Sequence, residues 1–233
     1  MHVTVLGSNG PTGRLLTAQL LSAGHTVNAL TRHPEQLELA NGLTITAGDA
    51  TWVADLRAAV HGAQAVVSVL GVPYSKQPIS LYSASAKAIV EAMTEAGIRR
   101  VVLTSSQAAT SWEDPHWTWL ERNLVRRILD SLGRTLYDDM RLMEAIVART
   151  DLDWTVMRPL GLANMDPPSE YAVAEDHISG NQTARRDLAA AILDQLTSSD
   201  FIGKAVAVAT TNKTVSIPAT IWREGIKPKF VKG

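Results

Sequence analysis

The sequence predicts one α/β domain, a doubly wound parallel sheet with helices on both faces. Three observations predict it. Short apolar runs rich in β-branched residues alternate with helical stripes along nearly the whole chain. The helices are long enough to carry each strand over to a parallel neighbour, with right-handed crossovers. The first run ends in a glycine-rich loop that opens into the first helical stripe.

The elements follow in order. Val3 to Leu6 is a buried strand ending at Gly7. Arg14 to Ala23 carries Leu15, Leu16, Leu20 and Leu21 at helical spacing and stops at Gly24. Thr26 to Thr31 and Leu43 to Ala47 are the second and third strands, and Val53 to Val60 is a helix ending near Gly62. Ala65 to Leu70 is the fourth strand, stopped by Gly71. Ile79, Tyr82, Ala86, Ile89, Val90 and Met93 form a helical stripe closed by Gly97. Val101 to Leu103 and Trp154 to Met157 are the fifth and sixth strands, Asp187 to Leu196 a helix, and Ala205 to Ala209 the last strand. Two segments break the rhythm. Residues 111–149 hold Trp112, Trp117, Trp119 and two helical stretches, Leu120 to Leu132 and Leu136 to Arg149; residues 161–181 read as irregular. Both leave from carboxyl ends of strands, where doubly wound sheets bind ligands, so they are expected to cover a substrate.

Length and composition exclude several classes. The 233 residues suit one domain spanning 1–233, and 45% hydrophobic with 19% charged residues is ordinary globular composition. Lys and Arg number 22 against 23 Asp and Glu, so no basic excess points to nucleic acid. Cysteine is absent, which removes disulfides and thiol catalysis. No apolar run approaches the ~20 residues of a membrane helix. The N-terminal run lacks a secretory pattern, so the expected location is cytoplasmic. The expected state is monomer or homodimer with a small-molecule substrate. The six His residues show no pairing that suggests a metal site. The three Trp residues fit an aromatic wall for a flat ligand, and fit core or interface packing as well. Lys227, Lys229 and Lys232 make a basic tail, read as a solvated end.

The loop Gly7-Ser8-Asn9-Gly10-Pro11-Thr12-Gly13 stands in strand–loop–helix context. Gly7 permits the tight turn, Gly10 lets a pyrophosphate approach the backbone, and Gly13 lets the helix pack on the sheet. The plainer alternative is a glycine-rich turn with no ligand. After the second strand, Thr31 and Arg32 stand where an NAD site usually places a carboxylate, and none comes before Glu35. The planar fork of Arg32 suits the 2′-phosphate of NADPH; a solvated surface Arg is the alternative. Gly48-Asp49-Ala50 follows the third strand, where a carboxylate can accept from an adenine amino group or cap the next helix. Thr104-Ser105-Ser106 closes the fifth strand. There a hydroxyl can face a ligand or cap the following segment; Ser105 is the first candidate and Ser106 the second.

These motifs, with Leu70-Gly71 and Val156-Met157-Arg158-Pro159, resemble the atypical short-chain dehydrogenase/reductase family, nearest its NmrA-like and biliverdin reductase B-like (flavin reductase) groups. Asp138-Asp139, Asp153-Trp154-Thr155-Val156 and Ala184 to Ala189 add to the likeness, which runs from Met1 to about Ala209. The resemblance implies a Rossmann-type domain that binds NADPH. It places Leu70, Gly71 and Val72 over the adenosine and ribose, Pro159, Leu160, Gly161 and Leu162 behind the nicotinamide, and Thr104 and Ser105 beside it. Two departures stand out. Many relatives carry Tyr and Lys four residues apart on one helix face; aligned to them, those positions become Leu136 and Met140, and Tyr137-x-x-x-Arg141 lies one residue out, about 100° around the helix. Leu160 stands where the biliverdin reductase B-like pattern has His. Two functions remain. One is an NADPH-dependent oxidoreductase passing hydride to a flat conjugated acceptor such as a flavin, quinone or enone, with Ser105 orienting the acceptor and Tyr137 or water giving the proton. The other is a non-catalytic sensor of the NADP redox state, as in NmrA-like proteins.

Overall fold

A computed structural model describes residues 1–128, 133–165 and 169–211. The end of the expected Leu120–Leu132 helix, part of 161–181 and the lysines of the tail lie outside the described residues.

The chain runs β1 (His2–Leu6), α1 (Pro11–Ser22), β2 (Thr26–Thr31), β3 (Leu43–Ala47), α2 (Val53–Ala59), β4 (Ala65–Ser68), α3 (Leu81–Ala96) and β5 (Arg100–Thr104). It continues through α4 (Trp119–Ile128), α5 (Arg134–Val147), β6 (Asp153–Pro159), β7 (Gly161–Ala163), β8 (Tyr171–Glu175), β9 (Gln182–Ala184), α6 (Arg185–Gln195) and β10 (Lys204–Thr210). Eight strands form one sheet in the order β3-β2-β1-β4-β5-β6-β10-β8, and β7 pairs with β9 in a small second sheet.

Seven strands of the main sheet are parallel, as expected; β8 lies antiparallel to β10, pairing Tyr171 with Thr210 and Glu175 with Val206. This corrects the purely parallel expectation and the irregular reading of 161–181. The sequence Tyr-Ala-Val-Ala-Glu carries little apolar bulk because β8 is an edge strand and only half buried. Pro11 at the first helical position starts α1 three residues before the expected Arg14.

Alternation splits the strand side chains between two cores. Leu6, Val66, Val101, Leu103 and Val156 pack with Leu56, Ile89, Met93 and Met143 under α2, α3 and α5. Val3, Val5, Val67, Val102, Met157 and Val206 pack with Leu16, Leu20, Leu188 and Ile192 under α1 and α6. Both faces are therefore dry, and several of the polar side chains that enter are paired. Thr4 Oγ1 and Asn28 Nδ2 both donate to the Ala59 carbonyl at the end of α2, each at 2.8 Å. A bidentate pair fixes α5 to the sheet: Arg158 on β6 meets both carboxylate oxygens of Glu144 at 2.6 and 3.2 Å, with 14% and 16% of the two side chains exposed.

Asp139, on α5, accepts from the Tyr82 and Ser83 N–H groups at 2.8 and 3.3 Å. It thus caps α3, whose own Ser80 makes no side-chain cap bond. Its neighbour Asp138 faces outward to Arg134 and Arg141. Replacing Asp139 by Ala is expected to cost about 1–2 kcal/mol. Asp138→Ala should stay within about 0.5 kcal/mol, since exposed ion pairs contribute little. Urea midpoints of the two variants check this; equal losses would contradict the cap.

Candidate functional site

The site starts where β1 ends. Gly7 has φ +88°, and a Cβ there would stand 2.8 Å from the Val69 carbonyl oxygen. A Cβ on Gly13 would stand 2.1 Å from the Gly7 carbonyl oxygen. The loop is therefore wedged between β4 and the first turn of α1 with room for backbone alone. Gly10 differs: its φ is −71°, and a Cβ there would meet only the Gly7 oxygen, at 3.3 Å. Gly10 caps α1 without a side chain, and Pro11 follows it, so the first-turn N–H groups keep no side-chain acceptor. An open glycine at a helix start, with no capping oxygen in the way, is a cradle that a pyrophosphate fits. Ser8 is buried, and its Oγ turns inward to the Val5 carbonyl at 3.0 Å, so its hydroxyl is already engaged.

The second corner lies past β2. Thr31 Oγ1 accepts from the His33 N–H at 3.0 Å and shapes the turn that presents Arg32. The Arg32 side chain is 69% exposed and stands 4.0 Å from Asp49. Partial burial works against the Asp49 carboxylate, yet the Thr51 N–H and hydroxyl, with Arg32, hold its carboxyl below the ordinary range. Asp49 therefore shapes the Thr51 turn; α2 is capped at Trp52, not by Asp49. Ala50 is buried beside it. Asn9 Nδ2 donates to the His33 carbonyl at 2.9 Å and to Gln36 Oε1 at 3.3 Å. Arg14 donates from Nε to the Asn9 carbonyl at 3.0 Å and from Nη2 to the Gln36 carbonyl at 2.9 Å.

The third corner gathers around β5. Ser105 is buried, and its Oγ has no hydrogen-bond partner among the described residues; Thr104 Oγ1 is in the same state. Such orphaned hydroxyls are uncommon and call for an explanation. The capping role falls to Ser106, whose Oγ accepts from the Ala108 N–H at 3.2 Å. Gly71 is exposed with open space about it, between half-buried Leu70 and Val72. Burial pushes the Tyr82 hydroxyl up to about 12, and it takes a hydrogen bond from the Val72 backbone.

Tyr137 is buried over Gly133, and its hydroxyl lies 2.7 Å from that of Tyr74. Leu136 and Met140, the positions aligned with Tyr and Lys, are core residues. The Arg141 guanidinium is engaged by the Ala109 carbonyl at 2.7 Å and by Asp138, which leaves it no resemblance to a cofactor-facing lysine. The structure thus brings Tyr137 to Tyr74 and makes no hydrogen bond from it to Ser105. Pro159 is buried opposite Val208, while Gly161 and Leu162 belong to β7. The Leu160 N–H is held by Thr183 Oγ1 at 2.9 Å.

One group of contacts lies outside the sequence reading. Gln107, two residues past Ser105, closes both backbone groups of Ile178, each at 2.9 Å. Asp114 accepts from the Gly180 N–H at 3.0 Å, and Trp112 stacks on His177 at 5.3 Å between centroids. The segments after β5 and after β8 are thereby joined. Their partners lie about 70 residues apart, and only the stacking Trp carried a local signal. A separate cleft of about 410 Å³ is lined by Arg141 and Glu144 of α5, Trp154, Val156 and Arg158 of β6, and Lys204 of β10.

Comparison with known proteins agrees with this geometry. The sequence profile of an NAD(P)H-binding family matches residues 7–199. A Schizosaccharomyces pombe protein, UPF0659 protein C216.03, is 27% identical over 75% of this chain and 76% of its own. Among solved structures, a short-chain dehydrogenase/reductase of Veillonella parvula in complex with NADP superimposes with a TM-score of 0.73 at 21% identity, covering 91% of this chain and 95% of that one. The Escherichia coli anaerobillin reductase ChuY gives 0.75 at 18% identity, covering 93% and 100%. At such identities these two likenesses speak for the fold alone. The family match spans most of the chain and includes the loop, α1 and the strand ends just described, so this protein belongs to the NAD(P)H-binding family of Rossmann-fold proteins.

Proposed function

We propose that the chain is an NADPH-dependent oxidoreductase acting on a small, flat, conjugated acceptor such as a flavin, quinone or enone. The observation that carries this reading is the pair of buried, unpartnered hydroxyls of Thr104 and Ser105 at the end of β5. A hydroxyl left without a partner in the protein is available to a ligand that arrives there. The glycine loop and α1 hold the pyrophosphate, and Arg32 pairs the 2′-phosphate, aided by Asp49 and Thr31 in fixing its turn. Leu70, Gly71 and Val72 lie along the adenosine and ribose, and Pro159 to Leu162 back the nicotinamide. When bound, the cofactor supplies the hydride. Ser105 orients the acceptor and stabilises charge developing on it. The segments 111–149 and 161–181 exclude water above the site.

A second reading, a non-catalytic NADP(H) sensor, is favoured by one observation. Tyr137 is tied to Tyr74 and Arg141 to Ala109 and Asp138, so no Tyr–Lys type pair stands ready as proton donor. NADPH consumption measured against a panel of flavins and quinones separates the two: turnover supports the enzyme, and none with any acceptor supports the sensor.

Three further outcomes are expected. Gly10→Val should fold, since φ of −71° suits any residue, and should abolish NADPH binding by filling the cradle; a folded variant with normal binding would remove the loop assignment. Arg32→Ala should lose about 1.5–3 kcal/mol of NADPH affinity, the scale of hydrogen bonds to a charged group, with NADH unaffected. Equal affinities of the wild type for NADPH and NADH would end the 2′-phosphate reading. With the best acceptor, Ser105→Ala should slow turnover about a hundredfold. Tyr137→Phe should cost far less, because the hydroxyl it removes is engaged with Tyr74 and makes no hydrogen bond to Ser105. The reverse ranking in steady-state rates would make Tyr137 the proton donor.

A further inference from the structure

The turn that presents Arg32 is not held by its own strand alone. It is bound to the glycine loop by three side chains: Asn9 reaches the His33 carbonyl and Gln36 Oε1, while Arg14 bridges the Asn9 and Gln36 carbonyls. Gln36 lies in the 3₁₀ turn Pro34–Gln36, whose N-cap His33 directly follows Arg32. The pyrophosphate cradle and the 2′-phosphate corner are thereby one rigid unit. The Arg14 guanidinium uses two of its fork positions on carbonyl oxygens, one from each part.

We propose that Arg14 is a positioning residue that sets the preference for NADPH over NADH, acting through Arg32. The inference rests on the reading of Arg32 as the partner of the 2′-phosphate. The physical reason is preorganisation. Arg32 is a long, exposed side chain, and its pairing with a phosphate requires its backbone to stay at a fixed distance from the pyrophosphate seat. Without the bridge the turn shifts or spreads over several positions, and the phosphate contact weakens. NADH makes no such contact, so its affinity does not depend on where Arg32 stands. A geometric role also separates Arg14 from a simple electrostatic one. Lysine keeps the charge but lacks the planar fork that spans two carbonyls.

The test is fluorescence titration of NADPH and NADH into the wild type, Arg14→Met, Arg14→Lys, Arg32→Ala and the Arg14→Met/Arg32→Ala double variant. Gln36→Ala, which removes the side-chain acceptor of Asn9, is a milder cut at the same seam. Arg14→Met is expected to weaken NADPH about fivefold and to leave NADH within about twofold, with Arg14→Lys close to Arg14→Met. In the Arg32→Ala background Arg14→Met should cause no further loss. Melting temperatures without cofactor show that the exposed substitutions leave the fold intact. Equal weakening of both cofactors would make Arg14 a support of the cradle and overturn the proposal. Full rescue by Lys, or an additive loss in the double variant, would mean that Arg14 attracts the phosphate directly, and would also overturn it. If the wild type itself shows no preference, the reading of Arg32 fails first, and that result is visible before any variant of Arg14 is compared.

Discussion

A Cβ on Gly13 would lie 2.1 Å from the Gly7 carbonyl oxygen, so α1 can begin where it does only while both positions lack side chains. That contact presses the first turn of α1 onto the end of β1 and fixes the helix direction. From there α1 runs down one face of the sheet, where Leu16 and Leu20 meet Val3, Val5, Leu188 and Ile192. The same contact leaves the first-turn N–H groups at the sheet's carboxyl edge, aimed away from the core. Packing and anion binding thus share one geometric origin. The glycine loop is a structural joint before it is a ligand site.

The glycine-loop corner and the end of β5 differ in how they are built. Around the glycine loop most polar side chains have a partner that fixes a loop: Thr31 with His33, Asp49 with Thr51, Asn9 and Arg14 with the turn after β2, though Asn9 Oδ1 is buried without one. At the end of β5 the Thr104 and Ser105 hydroxyls are buried without a partner among the described residues, while Arg141 and Tyr137 are engaged elsewhere. Arg141 holds Ala109, and Tyr137 holds Tyr74. On the proposed reading, the protein pairs a firmly held nucleotide site with a lightly furnished reacting edge. Such a division suits chemistry in which the cofactor carries the hard step and the protein mainly aligns two rings.

Legibility in the sequence followed burial. β2 and β3 begin and end at the residues that alternation and β-branching predict: β2 is buried from Val27 to Thr31, and β3, though an edge strand, still carries Leu43 and Ile45 at a period of two. β8 escaped because an edge strand covered by little carries Ala and Glu where a central one carries Val and Ile. β7 and β9, three residues each, are too short to show a period. Within the site, the glycines and Arg32 were visible because their roles are set by local backbone and by neighbours in the chain. Asp139 capping α3, Tyr74 meeting Tyr137 and Gln107 meeting Ile178 were not, since each pairing spans 57 to 71 residues and none follows from spacing. The partners of Tyr137 and Arg141, Tyr74 and the Ala109 carbonyl, lie 63 and 32 residues away in the chain and likewise do not follow from helical spacing.

The joint between Gln107 and Ile178 has a consequence for motion. A carboxamide that accepts from one backbone N–H and donates to the carbonyl of the same residue imitates the pairing of two strands, using a single side chain. Neither segment can peel away without breaking both bonds at once. Their amide hydrogens should accordingly exchange with solvent as a cooperative unit, with Ile178 N–H protected in step with Ala109 and Thr110, whose N–H groups close the 3₁₀ turn of Gln107.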